Sequence, residues 1–310
     1  QRTAEYLRQG LAALPKSSMV VLNADDPLVA SLGKGLPQKV VYFGIEDTSV
    51  SKPRLPHAAD SITTPTGKLL RYEAVFTGHL GHYASPDKSL RRPKPTVAVT
   101  DLVLDGISGS DLKLKLGRAT QKLRLGLPGI YNAYNAAAAG AVGHALGIAP
   151  KKIGPAIEQT AAAFGRVERV PVGRKQLFLG LIKNPTGANE LIHTLALEPD
   201  KKHLLILIND NFADGTDVSW LWDTDFEELL PQVETVAVGG LRADDMALRL
   251  KYAGLPEADI PVARSVGTAV ESALERVPEG GTLYVLPTYT AMLELRRYLT
   301  EQGHLTHFLK

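Results

Sequence analysis

The second half of the chain alternates regularly between two hydrophobic patterns. Short apolar runs, typical of buried parallel strands, are followed by segments in which apolar residues recur every three or four positions, as in amphipathic helices. The predicted strands are 176–182, 204–208, 235–238, 260–263 and 282–286, and the predicted helices are 187–197, 223–230, 243–252, 266–276 and 289–299. This succession of strand–helix units predicts a doubly wound parallel α/β domain over about 170–310.

The first half mixes the same parallel pattern with strands that alternate strictly between apolar and polar residues. Strict alternation is typical of antiparallel strands with one solvated face. The elements predicted there are a helix at 3–14, parallel strands at 19–22 and 40–43, a helix from residue 28, antiparallel strands at 96–104, 112–116 and 121–127, and helices at 135–146 and 150–164. A segment rich in Pro, Gly, His and basic residues, 49–95, interrupts this order and is interpreted as an inserted β-ribbon.

Composition narrows the class of protein. With 310 residues, 44% of them hydrophobic and 22% charged, the chain is typical of a soluble globular protein with room for two domains. A formal charge of +2 gives no support for a nucleic-acid partner. The lack of cysteine excludes disulfides, thiolate metal sites and cysteine nucleophiles. Without an apolar run long enough to span a membrane or a signal peptide, the predicted location is cytoplasmic.

An acidic loop follows the apolar run 204–208. Asp210, Asp214 and Asp217 lie close together in it, and Gly215 permits an unusual backbone angle. Ligands of open α/β sheets bind just beyond the carboxyl ends of the strands, where this loop is predicted to lie. The alternative is a solvated turn whose side chains satisfy backbone groups. The two tryptophans of the chain follow at once, which favours a functional loop.

Two other segments carry side chains suited to a nucleotide. Asn132 and Asn135 lie three residues apart at a predicted helix start, so that one can cap the helix while the other reaches a base or ribose. Arg166 lies in the predicted link to the last domain and can hold a phosphate in a bidentate manner. Helix capping and an ordinary surface arginine are the respective alternatives.

A third candidate is the corner that follows the predicted strand 176–182. Lys183 and Asn184 come at the strand end, and Asn189 lies in the helix that begins there. A lysine beside a helix start is receptive to anions, although a plain strand-to-helix turn has a similar composition.

These pieces together resemble the Mur ligase superfamily, and most specifically the MurT family of lipid II isoglutaminyl synthase subunits. The segments that carry the resemblance are NADDP at 23–27, the helix start at 129–135, KNPTGAN at 183–189, LINDNFADGTDVSWLWDTDFEEL at 207–229 and LPTYTAMLELR at 286–296. The resemblance implies an α/β fold with a Mur ligase-like central domain at 1–169, incomplete at its N-terminus and carrying the insert 49–95, followed by a Rossmann-like C-terminal domain at 170–310.

The resemblance also implies a function in peptidoglycan synthesis. The expected reaction is an amidation that consumes ATP with Mg²⁺: the α-carboxylate of D-glutamate in lipid II is activated as an acyl phosphate and then attacked by ammonia. Ammonia is expected from a GatD-type glutaminase partner, and lipid II from the inner membrane surface. The implied ATP-binding residues are Asn132, Asn135, Arg166, Lys183, Asn184 and Asn189. The aspartate that completes the partner's Cys–His pair is expected to be Asp214 or Asp217, with Asp210 in reserve.

The sequence departs from the family pattern in two places. A Gly-Lys-Thr phosphate loop is missing, the nearest string being 65–69, so about a hundred or more residues are expected upstream of Gln1. The zinc-ribbon cysteines of many relatives correspond to Thr63, Thr66, Ser85 and Lys88. We therefore expect no zinc, and a ribbon held by its strands and by Tyr72, His79, His82 and Tyr83.

Two other functions are compatible with the residues. One is a non-catalytic ligase-like module that binds and activates a glutaminase. The other is an amino-acid-adding Mur ligase or a folylpolyglutamate ligase.

Overall fold

The computed structural model describes residues 2–53, 55, 62–64, 67–87, 89–160 and 167–305. The chain divides into two compact units, Gln1–Ala161 and Ala162–Lys310. The domain boundary expected at 169/170 stays a prediction.

The first unit is built on a five-stranded mixed sheet in the order β1-β2-β5-β6-β7. Its elements are α1 (Arg2–Ala12), β1 (Met19–Asn23), α2 (Pro27–Leu32), β2 (Lys39–Ile45), β3 (Arg71–Thr77), β4 (Leu80–Ala84), β5 (Val97–Asp105), β6 (Gly109–Leu116), β7 (Ala119–Leu125), α3 (Ile130–Ala145) and α4 (Pro150–Glu158). Strands β1, β2 and β5 pair in parallel, whereas β5, β6 and β7 pair antiparallel, as the change of pattern predicted.

Helix α3 covers one face of this sheet. Its alanines Ala133 and Ala137 are fully buried, in the same hydrophobic core as Val99 and Leu114 of the strands. The small side chains allow the helix to approach the sheet closely, which fixes where its first turn lies.

The insert contains an antiparallel hairpin of β3 and β4, which confirms the predicted ribbon for its described residues. The Tyr72 hydroxyl donates to the carbonyl of His79 across the hairpin (2.8 Å), and Tyr83 is buried.

The second unit is a six-stranded sheet in the order β12-β11-β10-β13-β9-β8. Its elements are β8 (Glu168–Val172), β9 (Lys175–Leu179), α5 (Pro185–Ala196), β10 (Lys202–Leu207), β11 (Val233–Gly239), α6 (Ala243–Tyr252), β12 (Val262–Ala263), α7 (Val266–Glu275), β13 (Thr282–Pro287) and α8 (Tyr289–Glu301). All neighbours pair in parallel except β8 and β9, so the predicted doubly wound parallel domain is confirmed. Strand β8 was not predicted.

The α-helix predicted at 223–230 is wrong. The segment instead forms three short 3₁₀ turns, at Ser219–Asp223, Phe226–Glu228 and Leu230–Gln232. The backbone carbonyls of Leu221 and Thr224 accept hydrogen bonds from the side chain of Arg249. The helix predicted at 150–164 ends at Glu158, and 161–166 lie outside the described residues.

Candidate functional site

The loop that follows β10 is tied to two neighbouring segments by one buried amide. Asn209 accepts a hydrogen bond from the backbone N–H of Leu241 (2.9 Å) and donates to the side chains of Thr290 (3.1 Å) and Glu294 (3.0 Å). These partners follow β11 and β13, the two strands that flank β10. The parallel arrangement brings the three strand ends to one edge of the sheet, and Asn209 joins them there.

Gly240 makes this junction possible. Its φ of 91° lies in the region that favours glycine, and a Cβ on it would lie 2.5 Å from the carbonyl oxygen of Ile208. A residue with a side chain would therefore push the loops after β10 and β11 apart.

Asp214 is buried and bound to the start of α8. One carboxylate oxygen accepts from the backbone N–H of Thr290 (2.7 Å) and the other from its hydroxyl (2.5 Å). Only 7% of the residue is exposed. Thr288, the N-cap residue of α8, makes no capping bond with its side chain. Asp214 therefore serves as the cap, in line with the structural alternative for this loop.

Asp217 is the exposed aspartate of the loop. Its Oδ1 accepts from the backbone N–H of Ser219 (2.8 Å), and hydrogen bonds from the side chain and the backbone of Ser219 hold its pKa below the usual range. It is therefore a carboxylate at neutral pH. It lines an open groove together with Trp222, Arg242 and Asp245.

Asp210 lies in a mixed-charge group. Its Oδ2 is 3.6 Å from Arg242 Nη1, while Arg242 Nε is 3.0 Å from Asp245 Oδ2. The guanidinium is therefore shared between two carboxylates, and Asp210 is partly covered.

Arg249, on α6, organises the segment that follows Asp217 and was not singled out from the sequence. Its guanidinium donates to the carbonyls of Leu221 (3.0 Å) and Thr224 (2.7 Å) and to both carboxylate oxygens of Glu227 (2.9 Å each). It also lies over the rings of Trp222 (5.8 Å) and Phe226 (5.6 Å).

The sequence does carry a signal for Arg249. The residue falls on the apolar face of α6, three positions after Met246 and next to Leu250, both fully buried. An arginine at such a position must be paired, because an unpaired buried charge is costly.

The two asparagines at the start of α3 lie together, as predicted. The Asn132 side chain is buried and donates to the carbonyl of Pro128 (2.7 Å), and Asn135 Nδ2 donates to Asn132 Oδ1 (3.1 Å). The N-cap of α3 is Gly129, so neither amide is the capping group at that position. Asn135 is exposed, and its Oδ1 has no hydrogen-bond partner in the part of the chain that the structure describes.

The corner after β9 combines helix capping with exposed charge. Asn184 is the N-cap of α5, and its Oδ1 accepts from the backbone N–H of Gly187 (2.8 Å). Lys183 beside it is exposed. Asn189 is buried, and both polar atoms of its side chain bond to Asp225. Its Oδ1 accepts from the backbone N–H of Asp225 (2.8 Å), and its Nδ2 donates to the carboxylate of Asp225 (3.1 Å). Asn189 is therefore used internally.

The remaining predicted residues are Arg166 and the residues of the insert. Arg166 lies outside the described residues, as do Thr66 and Lys88. His79 Nε2 lies 3.3 Å from Asp26, whereas His82 Nε2 lies 2.8 Å from the carbonyl of Ile45. Across the described ranges, no group of three or more His, Asp or Glu side chains is arranged to hold a metal ion. No helix within those ranges is long and apolar enough to cross a membrane.

Comparison with known proteins gives sequence relatives over most of the chain. Residues 181–292 match the family described as MurT ligase C-terminal. The chain is 32% identical over 291 residues to the MurT subunit of lipid II isoglutaminyl synthase (glutamine-hydrolyzing) of Streptococcus pneumoniae, with 92% of this chain and 63% of that protein covered. The corresponding subunit of Staphylococcus aureus is 30% identical over 285 residues, with 92% and 62% covered. The chain thus spans a little under two thirds of the length of these relatives.

Solved structures confirm the fold. A pseudomurein peptide ligase type C from Methanothermus fervidus superposes with a TM-score of 0.73 at 23% identity, covering 97% of this chain and 59% of that one. MurF from Acinetobacter baumannii gives a TM-score of 0.61 at 16% identity, covering 92% and 53%. The structural likeness establishes a Mur ligase-like fold. In sequence, the chain is similar to the MurT subunits over 92% of its length, and residues 181–292 match the MurT ligase C-terminal family.

Proposed function

We propose that the protein amidates the α-carboxylate of D-glutamate in lipid II, with ATP and with ammonia supplied by a GatD-type glutaminase subunit. The main support is the 32% identity over 92% of the chain to a subunit named for lipid II isoglutaminyl synthesis with glutamine hydrolysis. The proposal includes a reaction in the cytoplasm, at the membrane surface that presents the lipid-linked substrate.

The proposed chemistry has two steps. The substrate carboxylate attacks the γ-phosphorus of ATP, so that an acyl phosphate forms and ADP leaves. Ammonia then attacks the acyl carbon and phosphate departs, which leaves the amide. Ammonia must arrive unprotonated and must not escape, and this favours delivery from a docked partner.

Asp217 is the aspartate best suited to complete the glutaminase's Cys–His pair. That role requires an ionised carboxylate with an accessible oxygen that can orient and stabilise an imidazolium. Asp217 is exposed and has a lowered pKa, and its Oδ1 accepts a hydrogen bond from Ser219 in the same loop. Asp214 would first have to release Thr290, and Asp210 is shared with Arg242.

Some of the residues expected to bind ATP have side chains available for that role. Asn135 suits an adenosine contact because it is exposed and keeps one amide hydrogen and its acceptor oxygen for a ligand. Lys183 is the exposed cation that suits a phosphate. Asn132 supports Asn135, and Asn184 caps α5 beside Lys183. The described residues offer no built Mg²⁺ site, and we assign no step to the metal.

The test compares two nitrogen sources in the full-length protein paired with its glutaminase. Asp217→Asn is expected to lower glutamine-dependent amidation by ~100-fold or more while leaving ammonium-dependent amidation near wild type. Asp223→Asn is the matched control, since it removes an exposed charge from the same loop. Asp214→Asn is expected to weaken the loop and to reduce both activities.

Other results would replace the proposal. Normal glutamine use by Asp217→Asn rejects the role of that carboxylate. Glutaminase activation without ATP turnover supports the non-catalytic module, and ligation of an amino acid in place of ammonia supports an amino-acid-adding ligase.

A further inference from the structure

The turn that follows β1 contains a fully buried carboxylate. Asp25 is 0% exposed, and three groups donate to it: the backbone N–H of Ile45 (2.8 Å) and the hydroxyl of Tyr134 (2.7 Å) to Oδ2, and Arg92 Nε (2.5 Å) to Oδ1. The donors come from β2, from α3 and from the chain after the insert hairpin. A buried carboxylate is tolerated when it is paired and hydrogen-bonded in this way.

The surroundings of Asp25 leave little room for another arrangement. A Cβ on Gly44 would lie 2.7 Å from Asp25 Oδ1 and 3.0 Å from Arg92 Nη2. Arg92 also donates to the carboxylate of Glu46 (2.5 Å) and to the carbonyl of Ile45 (3.0 Å). The guanidinium is thus held on both sides, and the Asp25 carboxylate has one well-defined position.

Tyr134 connects this cluster to the candidate nucleotide side chain. The Tyr134 side chain is buried, whereas Asn135, the next residue, is exposed. Successive residues of an α-helix point about 100° apart, so the rotation that places the hydroxyl on Asp25 also sets the direction in which Asn135 projects. No other residue of the described part of α3 donates to Asp25.

We propose that Asp25, acting through Tyr134, is a positioning residue that fixes the first turns of α3 and thereby presents Asn135 to the adenosine of ATP. The proposal rests on the proposed ATP-dependent function. Neither Asp25 nor Tyr134 contacts the nucleotide in this scheme. Their effect is on affinity for ATP, because a helix start that samples several positions binds a ligand more weakly than one already in place.

The experiment uses Tyr134→Phe in the full-length protein with its partner subunit. The variant keeps the buried ring and removes only the hydroxyl. We expect the KM and the calorimetric Kd for ATP to rise about fivefold or more, with kcat nearly unchanged, as for loss of one hydrogen bond to a charged group. Backbone amides 130–135 are expected to exchange with deuterium faster than in wild type.

Tyr72→Phe is the matched control. It removes a tyrosine hydroxyl bond of similar length, which lies within the β3–β4 hairpin and ends on the carbonyl of His79 instead of on Asp25. If the Kd for ATP rose only because the fold is less stable, it would rise in both Tyr134→Phe and Tyr72→Phe. A rise in Tyr134→Phe alone therefore reports the positioning of α3. Arg92→Lys, which keeps a cation beside Asp25, is expected to change the Kd in the same direction as Tyr134→Phe.

The outcomes separate the two proposals. An unchanged Kd and unchanged amide exchange in Tyr134→Phe, with ATP bound normally by wild type, overturns the positioning role alone. A rise in Kd in Tyr72→Phe equal to that in Tyr134→Phe also overturns it. Failure of the wild-type complex to bind ATP overturns the proposed function and this inference with it.

Discussion

Replacing Arg249 by methionine tests how the segment after Asp217 is held. The variant retains an unbranched apolar stem but removes every donor. The carbonyls of Leu221 and Thr224, both in buried residues, then lose their guanidinium partner, and each such loss costs ~1–3 kcal/mol. The lost pair with Glu227 adds little, because that carboxylate is half exposed. We expect the free energy of unfolding of the second unit to fall by about 2–6 kcal/mol, the sum of the two losses.

Urea unfolding followed by tryptophan fluorescence measures this change, since both tryptophans lie in the affected segment. Arg174→Met is the control: its ion pair with Glu279 is 80% and 71% exposed at its two ends, so a loss of no more than ~1 kcal/mol is expected. Arg249→Lys should fall between the two, because an ammonium cannot reproduce the forked contacts. A loss below ~1 kcal/mol for Arg249→Met would refute the view that this arginine holds the segment.

Two further predictions concern helix starts. Asp26 caps α2 through the backbone N–H groups of Leu28 and Val29, so Asp26→Ala should cost ~0.5–2 kcal/mol in urea unfolding at pH 7. Burial alone would raise the pKa of Asp26, but hydrogen bonds from His79 and from these N–H groups lower it overall. The cost should therefore be fully present above about pH 4 and be lost as pH falls through the lowered pKa, and a cost that stays constant through acid titration contradicts this. Asn184→Ala should lower the thermal stability of the second unit by ~1 kcal/mol and Asn184→Ser should restore most of it, whereas equal stability of the two variants would argue against capping.

The strands and helices of the second unit were largely predictable from local pattern. The helix predicted at 243–252 is observed as Ala243–Tyr252, and every predicted strand there is present. Periodicity reports burial of one face, and that information is local. The failure at 223–230 has a distant cause, since Arg249 binds the carbonyls of that segment from another helix.

The roles of the candidate side chains depended on partners far away in the sequence. The three loop aspartates look equivalent as a string, yet Asp214 meets Thr290, 76 positions later, and Asp217 bonds only within its own turn. Asp25 likewise meets Tyr134, 109 positions later. A single sequence identifies residue types suited to a site, but which of them is buried depends on how distant elements pack.

In the loop after β10, the side chains that attach the loop to neighbouring segments are not the side chain that it exposes to solvent. The side chains of Asn209 and Asp214 form hydrogen bonds with Leu241 and Thr290, which follow the neighbouring strands. Asp217 takes no part in those bonds. In the proposed complex, a partner binds the exposed Asp217 carboxylate without breaking the bonds that Asn209 and Asp214 make, whereas use of Asp214 would release the start of α8. Ordering a loop on binding reduces affinity, so a loop that is already held is consistent with the proposed role of Asp217.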